Sequence, residues 1–286
     1  MMSQVHIFIN LTRLNKPIGY MLLFWPCTWG LAYNYSVSKD LNEFLFFLLL
    51  FFLGSVLMRS AGCIVNDIVD KDLDKKVQRT KNRPLASDLI SVKLALVYTA
   101  ILCGLAFSIL IQFNRLTIFL GLASMILAFS YPFMKRITYW PQLFLGLTFN
   151  WGIIMAWAAT NNNISFEILI LYMSAIFWTL GYDTIYGTQD ITDDEIIGVK
   201  STSIKFKNNI KLFVGFCYFI SSALIVLLFY DKFDLNNSSL LMLVYILSLI
   251  YQVIKFKKND QNGCLKIFKI NNLSGLFLFS GIFLIN

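Results

Sequence analysis

The chain has 286 residues, of which 57% are apolar, 16% aromatic and only 14% charged. Soluble domains carry roughly 25% charge. Here the apolar residues come in runs, and Phe44 to Leu57 holds no charge at all. The chain therefore reads as a polytopic membrane protein; disordered, collagen-like and disulfide-framed classes are excluded. The five cysteines are scattered and include no Cys-x-x-Cys pair, which leaves no zinc ribbon and no disulfide frame. A single histidine, His6, removes His-x-x-x-His metal sites, bis-histidine haem and a Ser-His-Asp triad. The net charge of +8 reports topology in such a chain, and no nucleic-acid partner is implied.

A membrane span needs about 20 mostly apolar residues. Taken in chain order, apolar runs and polar breaks predict an all-α membrane protein of about nine transmembrane helices in a single domain, 1–286. The spans fall near 17–35, 42–64, 93–112, 115–134, 140–160, 164–186, 210–230, 238–255 and 269–285. The first resembles a signal peptide in its leading Arg13 and Lys16, but no small-residue cleavage site follows and Pro17, Trp25, Pro26 and Trp29 lie inside it. It is read as a retained helix. The Asn161–Asn163 and 231–239 breaks are short turns, whereas 65–92 and 187–209 are long and charged. Of the 24 Lys and Arg, 20 fall at the N-terminus or in the breaks after the even-numbered spans. The positive-inside rule then places the N-terminus in the cytoplasm and the C-terminus outside.

Nine of the 16 acids fall in two short windows on that same side. One holds Asp67, Asp70, Asp72 and Asp74; the other holds Asp183, Asp190, Asp193, Asp194 and Glu195. Asn66, Asp70 and Asp74 are successive i, i+4 neighbours and form one polar stripe if the segment is helical. Asp183, Tyr186, Asp190 and Asp194 likewise share one face of a predicted helix. Solvated loop carboxylates balanced by Lys71, Lys75, Lys76 and Lys200 would explain the charge, but not the repeated spacing. An EF-hand pattern is missing. Mg2+ bridged to a phosphate fits better, because Mg2+ takes one or two carboxylates and completes its shell with water and phosphate oxygens. Arg79, Arg83, Arg136 and Lys200 lie close by in sequence, and neither a Walker A pattern nor Gly-x-Gly-x-x-Gly is present. A transporter would also carry intramembrane acids, though more naturally at mid-membrane.

The pattern Asn66-Asp67-x-x-Asp70-x-x-x-Asp74, the following Arg79-Thr80-x-x-Arg83-Pro84-Leu85, and Asp183-Thr184-x-Tyr186-x-x-x-Asp190-x-x-Asp193-Asp194 leading into Gly198-x-Lys200-Ser201-Thr202 resembles the UbiA superfamily of intramembrane prenyltransferases. Arg13 to Gly19, Met58 to Cys63 and Tyr131 to Arg136 point to the branch that prenylates 4-hydroxybenzoate. The resemblance runs from about residue 11 to the end; Ile191 stands where a basic residue is often found. It implies a helical bundle around a central cavity open to the cytoplasmic side, and Mg2+ as cofactor. It also implies transfer of a polyprenyl group from polyprenyl diphosphate to the ring carbon ortho to the hydroxyl of 4-hydroxybenzoate, in ubiquinone biosynthesis.

By the same resemblance Asn66, Asp70, Asp74, Asp190 and Asp194 are metal ligands, with Asp67 and Asp183 second choices. Asp70, Asp74, Asp190, Asp194 and Arg136 carry the chemistry, Arg136 meeting the acceptor carboxylate or the diphosphate. Arg83, Lys200, Tyr186 and Asp183 bind substrate. The lipid bilayer is the medium, and no obligate protein partner is implied. No Arg- and Ser-rich leader precedes Arg13, so a bacterial inner membrane is the expected location.

Overall fold

The computed structural model describes residues 4–285; residues 1–3 and 286, the chain ends named in the topology expectation, lie outside the described residues. Among the described residues all regular structure is helical. A short helix, α1 (Gln4–Thr12), precedes α2 (Ile18–Ser38) and α3 (Leu41–Val69), and a single turn, α4 (Lys71–Asp74), continues α3. Then come α5 (Val92–Leu110), α6 (Arg115–Ile137), α7 (Pro141–Asn150), α8 (Gly152–Asn161) and α9 (Phe166–Gly187). A 3-10 turn at Thr188–Asp190 leads into α10 (Ile191–Ile197) and α11 (Thr202–Lys205). The chain closes with α12 (Ile210–Leu228), α13 (Asn237–Lys255) and α14 (Gln261–Phe283).

With α7 and α8 counted as one, nine long rods result, and each expected span is met by one of them. Seven are long and apolar enough to cross a membrane by length and composition. The other two, α2 and α14, are long enough but more polar. α2 runs inside the bundle, where neighbouring helices rather than lipid set the composition, and α14 carries the exposed Lys266 and Lys269 in its first turns. The chain is a multi-span membrane protein.

The rod ends follow local chemistry. Asp40, Ser91, Asn114, Ser165, Asn236 and Asp260 each cap a helix by accepting from the backbone N–H three residues on. Lys39 and Asn162, with φ of 56° and 50°, end α2 and α8 in the left-handed conformation that closes a helix. The fifth rod breaks at Trp151 because Asn150 turns its amide back onto the Gly146 carbonyl at 2.7 Å, in competition with the helix backbone. α14 begins at Gln261 and not near 269: Cys264 and Ile267 are buried, so its polar first turns belong to the helix.

The core lies where α2, α9 and α14 meet. Trp29 and Trp178 approach to 4.9 Å between ring centroids, and their indole N–H groups donate to the Gly275 carbonyl at 3.0 Å and the Asn271 side chain at 2.7 Å. Asn271 in turn donates to Gln252, which also accepts from Tyr218. Buried polar groups are thus satisfied inside the bundle, as a hydrocarbon surrounding demands. The charged segments between rods are not plain loops. α1 buries Ile7 and Leu11 against Ile64, Leu85 and Ile90, and Arg13, with φ of 57°, turns the chain back toward the bundle.

Candidate active site

One cavity of about 1270 Å³ opens at the basic end of the bundle and penetrates its interior. α3 forms its long wall. Lining residues run from Asp74, Asp70 and Asn66 through Arg59 to Phe51 and Leu50. Between Asn66 and Leu50 the helix rises about 24 Å at 1.5 Å per residue. The deep part is apolar, with Phe107 and Leu110 of α5, Met125 of α6 and Met155 of α8. Both acid windows contribute to the mouth: Asp67, Asp70 and Asp74 from one, Asp183, Asp190 and Asp194 from the other.

The backbone explains the first window. Asp70 N–H donates to the Asn66 carbonyl at 2.9 Å and Asp74 N–H to that of Asp70 at 2.8 Å, so the i, i+4 register survives the end of α3. The expectation for the second window needs correction. The 3-10 turn at Thr188–Asp190 interrupts the helix after Gly187, so Asp183 and Tyr186 belong to α9 while Asp194 belongs to α10. The four residues still line one cavity, brought there by a bend instead of a single face.

Cations interleave with these acids. Asp67, 1% exposed, accepts from Arg13 at 2.6 Å and from Arg83 at 3.1 Å, and Arg83 also donates to Asp74 at 2.8 Å. Lys135 donates to Asp70. Arg79 donates from two nitrogens to Asp190, at 2.7 and 2.6 Å, and from a third to the Tyr186 hydroxyl at 3.2 Å. Burial opposes the charge of the Arg79 guanidinium, but Tyr186 and Asp190 outweigh it and hold the pKa above the ordinary arginine value. Lys16 faces the opposite balance. Although its side chain is exposed, partial desolvation at the mouth, then the neighbouring Arg13, Arg79, Arg83 and Lys269, push its ammonium below the usual lysine range. The mouth therefore carries a positive field built to receive a polyanion.

Not every expected residue reaches the cavity. Arg136 is not among its lining residues; it donates to the Val69 carbonyl at 2.6 Å and stands 3.6 Å from the Asp70 carboxylate, beside a smaller recess behind α4. Lys200 lines the cavity, but its ammonium donates to the Ile137 carbonyl at 3.1 Å. Its backbone N–H donates to the Lys135 carbonyl at 2.7 Å, which ties the segment after α10 to the end of α6.

The residues left without a role by the sequence are Arg13, Lys16, Arg59, Arg79, Lys135 and Lys269, all on the cavity wall; of these Arg79 is noted there beside the first acid window. Arg59 had a legible signal: it lies seven residues before Asn66, on the same helical face. It has no ion pair among the described residues, and its guanidinium stands 5.2 Å from the ring of Phe149. Lys135 was hidden by its neighbour Arg136, whose planar fork looked the better anion partner.

The mouth accommodates a divalent cation only jointly with a ligand. Among the described residues, no three His, Cys, Asp or Glu side chains gather into a ready-made metal cage. One oxygen of Asp70 is nevertheless buried without a hydrogen bond, with only the Arg136 guanidinium 3.6 Å away, so this hard donor keeps unused lone-pair capacity. Mg2+ needs only one or two carboxylates when phosphate oxygens and water complete its shell. The donor set fits that use.

Residues 23–277 match the model of the UbiA prenyltransferase family. The 4-hydroxybenzoate octaprenyltransferase of Psychromonas ingrahamii is 41% identical, over 97% of this chain and 95% of its own. The mitochondrial 4-hydroxybenzoate polyprenyltransferase of Rattus norvegicus is also 41% identical, over 98% of this chain and 74% of its own. Among solved structures, the apo UbiA homolog of Aeropyrum pernix superposes with a TM-score of 0.77 at 21% identity, covering 93% of this chain and 97% of that one. The UbiA homolog of Archaeoglobus fulgidus, bound to GPP and Mg2+, superposes with a TM-score of 0.72 at 18% identity, covering 96% and 99%. The fold is shared with the solved structures, and the identity to the sequence relatives extends along nearly the whole chain: it is a member of the UbiA prenyltransferase family.

Proposed function

We propose that this protein transfers a polyprenyl group from polyprenyl diphosphate to the ring carbon ortho to the hydroxyl of 4-hydroxybenzoate, with Mg2+ as the divalent cation. One observation carries the reading: a single cavity joins a mouth of alternating acids and cations to an apolar deep end, along a wall of α3 that rises about 24 Å from Asn66 to Leu50. A diphosphate suits the first part and a long hydrocarbon tail suits the second. The kinship with enzymes named for this reaction supports it.

Asn66, Asp70 and Asp74 on one side and Asp190 and Asp194 on the other would hold the cation, which when bound neutralises diphosphate charge as a Lewis acid. Arg79, Arg83 and Lys135, now paired with the acids, turn to the diphosphate and stabilise the negative charge that gathers as it leaves. Tyr186 orients Arg79 through its hydroxyl. The carbon–oxygen bond of the donor breaks with its electron pair going to the diphosphate, and the apolar walls keep water from the allylic cation left behind.

The acceptor's carboxylate role moves from Arg136 to Arg59. An arginine at membrane depth without an ion pair has a large cost to recover, and a carboxylate matches its planar fork. So held, the ring presents its ortho carbon to the allylic cation, forms the new carbon–carbon bond and then releases a proton. Asp183 lines the same cavity and has no ion pair among the described residues, so it is the group placed to take that proton. Lys200 acts by holding Lys135 in position. We place the protein in a bacterial inner membrane as one domain, with the basic end of the bundle cytoplasmic.

The test is transfer of labelled 4-hydroxybenzoate into lipid-soluble product in membranes supplied with octaprenyl diphosphate and Mg2+. Product that forms with Mg2+ and vanishes on chelation is expected. No product with any divalent cation overturns the reading.

A further inference from the structure

Glycine inside a membrane helix ordinarily lets two backbones approach closely. Gly30 and Gly146 do so here: a Cβ on Gly30 would stand 2.6 Å from the Ile153 carbonyl, and one on Gly146 would stand 3.2 Å from that of Ile176. Gly54 and Gly62 of α3 do not. A Cβ added to either meets no atom within 4 Å, yet both line the cavity. Glycine in a helix interior is less favourable than alanine, and at these two positions no close helix contact offsets that cost.

Their register shows what the space serves. Gly54, Met58, Gly62, Asn66, Asp70 and Asp74 follow one another at intervals of four and all line the cavity. The acid stripe at the mouth thus continues inward along α3, with bare backbone at Gly62 and Gly54 and the Met58 side chain between them. Asp70 lines the polar end, held there by Lys135 on one oxygen and facing Arg136 at 3.6 Å with the other. A ligand anchored there by its charged head has an open trench running away along α3.

We propose that Gly62 and Gly54 form the floor of the trench that receives the hydrocarbon tail of the donor, and that Gly54 determines how long a tail is accepted. The inference rests on the prenyl-transfer reading above and adds chain-length selection to it. Gly54 lies about 18 Å from Asn66 along the helix. A geranyl tail, with about seven chain bonds of about 1.5 Å, has a contour of only about 11 Å and ends short of Gly54. An octaprenyl tail must pass it. A side chain at 54 would block the second tail and spare the first.

The experiment compares geranyl diphosphate and octaprenyl diphosphate as donors to labelled 4-hydroxybenzoate, in membranes carrying the full chain. The variants are Gly54→Ala, Gly54→Leu and Gly54→Phe. The ratio of kcat/KM for octaprenyl over geranyl donor should fall stepwise with side-chain size, by at least about tenfold at Gly54→Leu. Gly104→Leu is the control, since a Cβ at Gly104 also meets nothing within 4 Å but the residue is outside the cavity; it should leave the ratio within about twofold. If the phenylalanine variant does not accumulate, the alanine and leucine variants decide. A ratio that stays constant while the parent uses both donors overturns the trench and leaves the prenyl-transfer reading standing. A parent that uses neither donor overturns both.

Discussion

Arg79 grips Asp190 with two nitrogens, at 2.7 and 2.6 Å, across 111 residues of sequence. This fork joins the two acid windows, which belong to opposite halves of the chain. A lysine at 79 keeps the charge but presents a single point where the guanidinium presents a fork. Arg79→Lys should therefore lower kcat/KM for the diphosphate donor by about tenfold or more, equivalent to one charge-assisted hydrogen bond of about 1.5–3 kcal/mol. Steady-state transfer with the donor varied measures it.

Asp70→Asn and Asp190→Asn keep the shape of the side chain and remove its charge. If both acids hold a divalent cation, each change should lower transfer at least about a hundredfold, where every 1.36 kcal/mol is a factor of ten. Asp260→Asn should stay within about twofold, because Asp260 only caps α14 by accepting from Gly263, and asparagine caps equally well. Transfer assays on the three variants at matched expression check the contrast.

Arg59 and Arg136 compete for one assignment. With Arg59 as the carboxylate partner, Arg59→Gln should raise KM for 4-hydroxybenzoate at least about tenfold. The same acceptor lacking its carboxylate should lose little between parent and variant. Arg136→Gln, outside the cavity, should change acceptor KM by less than about threefold. Acceptor saturation curves at fixed donor concentration distinguish the two.

The depressed ammonium of Lys16 predicts a pH effect with a definite sign. Partial desolvation and the surrounding Arg13, Arg79, Arg83 and Lys269 make this lysine lose its proton at lower pH than an ordinary lysine. As pH rises through that range the mouth loses one positive charge, so donor KM should rise. Lys16→Arg should abolish that part of the rise, because guanidinium keeps its proton. Folding stability runs the other way: the unfolded chain holds the proton more tightly, so this group's contribution increases with pH. Donor KM measured across the alkaline range in parent and variant tests the sign.

Much of this was legible in the sequence. Long apolar runs and polar breaks located the rods, most of them to within a few residues, though α14 begins eight residues before the expected 269. The stripe Asn66, Asp70, Asp74 survived as read, because local i, i+4 bonds hold it. The second window did not survive as one helix: the turn at Thr188–Asp190 interrupts it, and its residues bond to Cys264, Gln261 and Arg79, all far away in the chain. Which cation meets which acid was illegible for the same reason. Arg13 reaches Asp67 only because α1 folds under α3, and Lys135 outranks Arg136 only because, of two side chains that both approach Asp70, Lys135 alone hydrogen-bonds it and lines the cavity. Spacing reports faces of one helix; it does not report who stands opposite.

The pairing of acids with cations at the mouth has a thermodynamic consequence. Without ligands the carboxylates of Asp67, Asp70, Asp74 and Asp190 and the side chains of Arg13, Arg83, Lys135 and Arg79 neutralise one another. A divalent cation that engages the acids uncovers the arginines and the lysine, and a diphosphate that engages those uncovers the acids. Each ligand thus prepares the site for the other. Their affinities are linked by a single coupling free energy, and whatever factor the cation adds to donor affinity the donor must add to cation affinity. The mouth behaves as an exchanger of ion pairs, in which net charge stays nearly constant while its partners change.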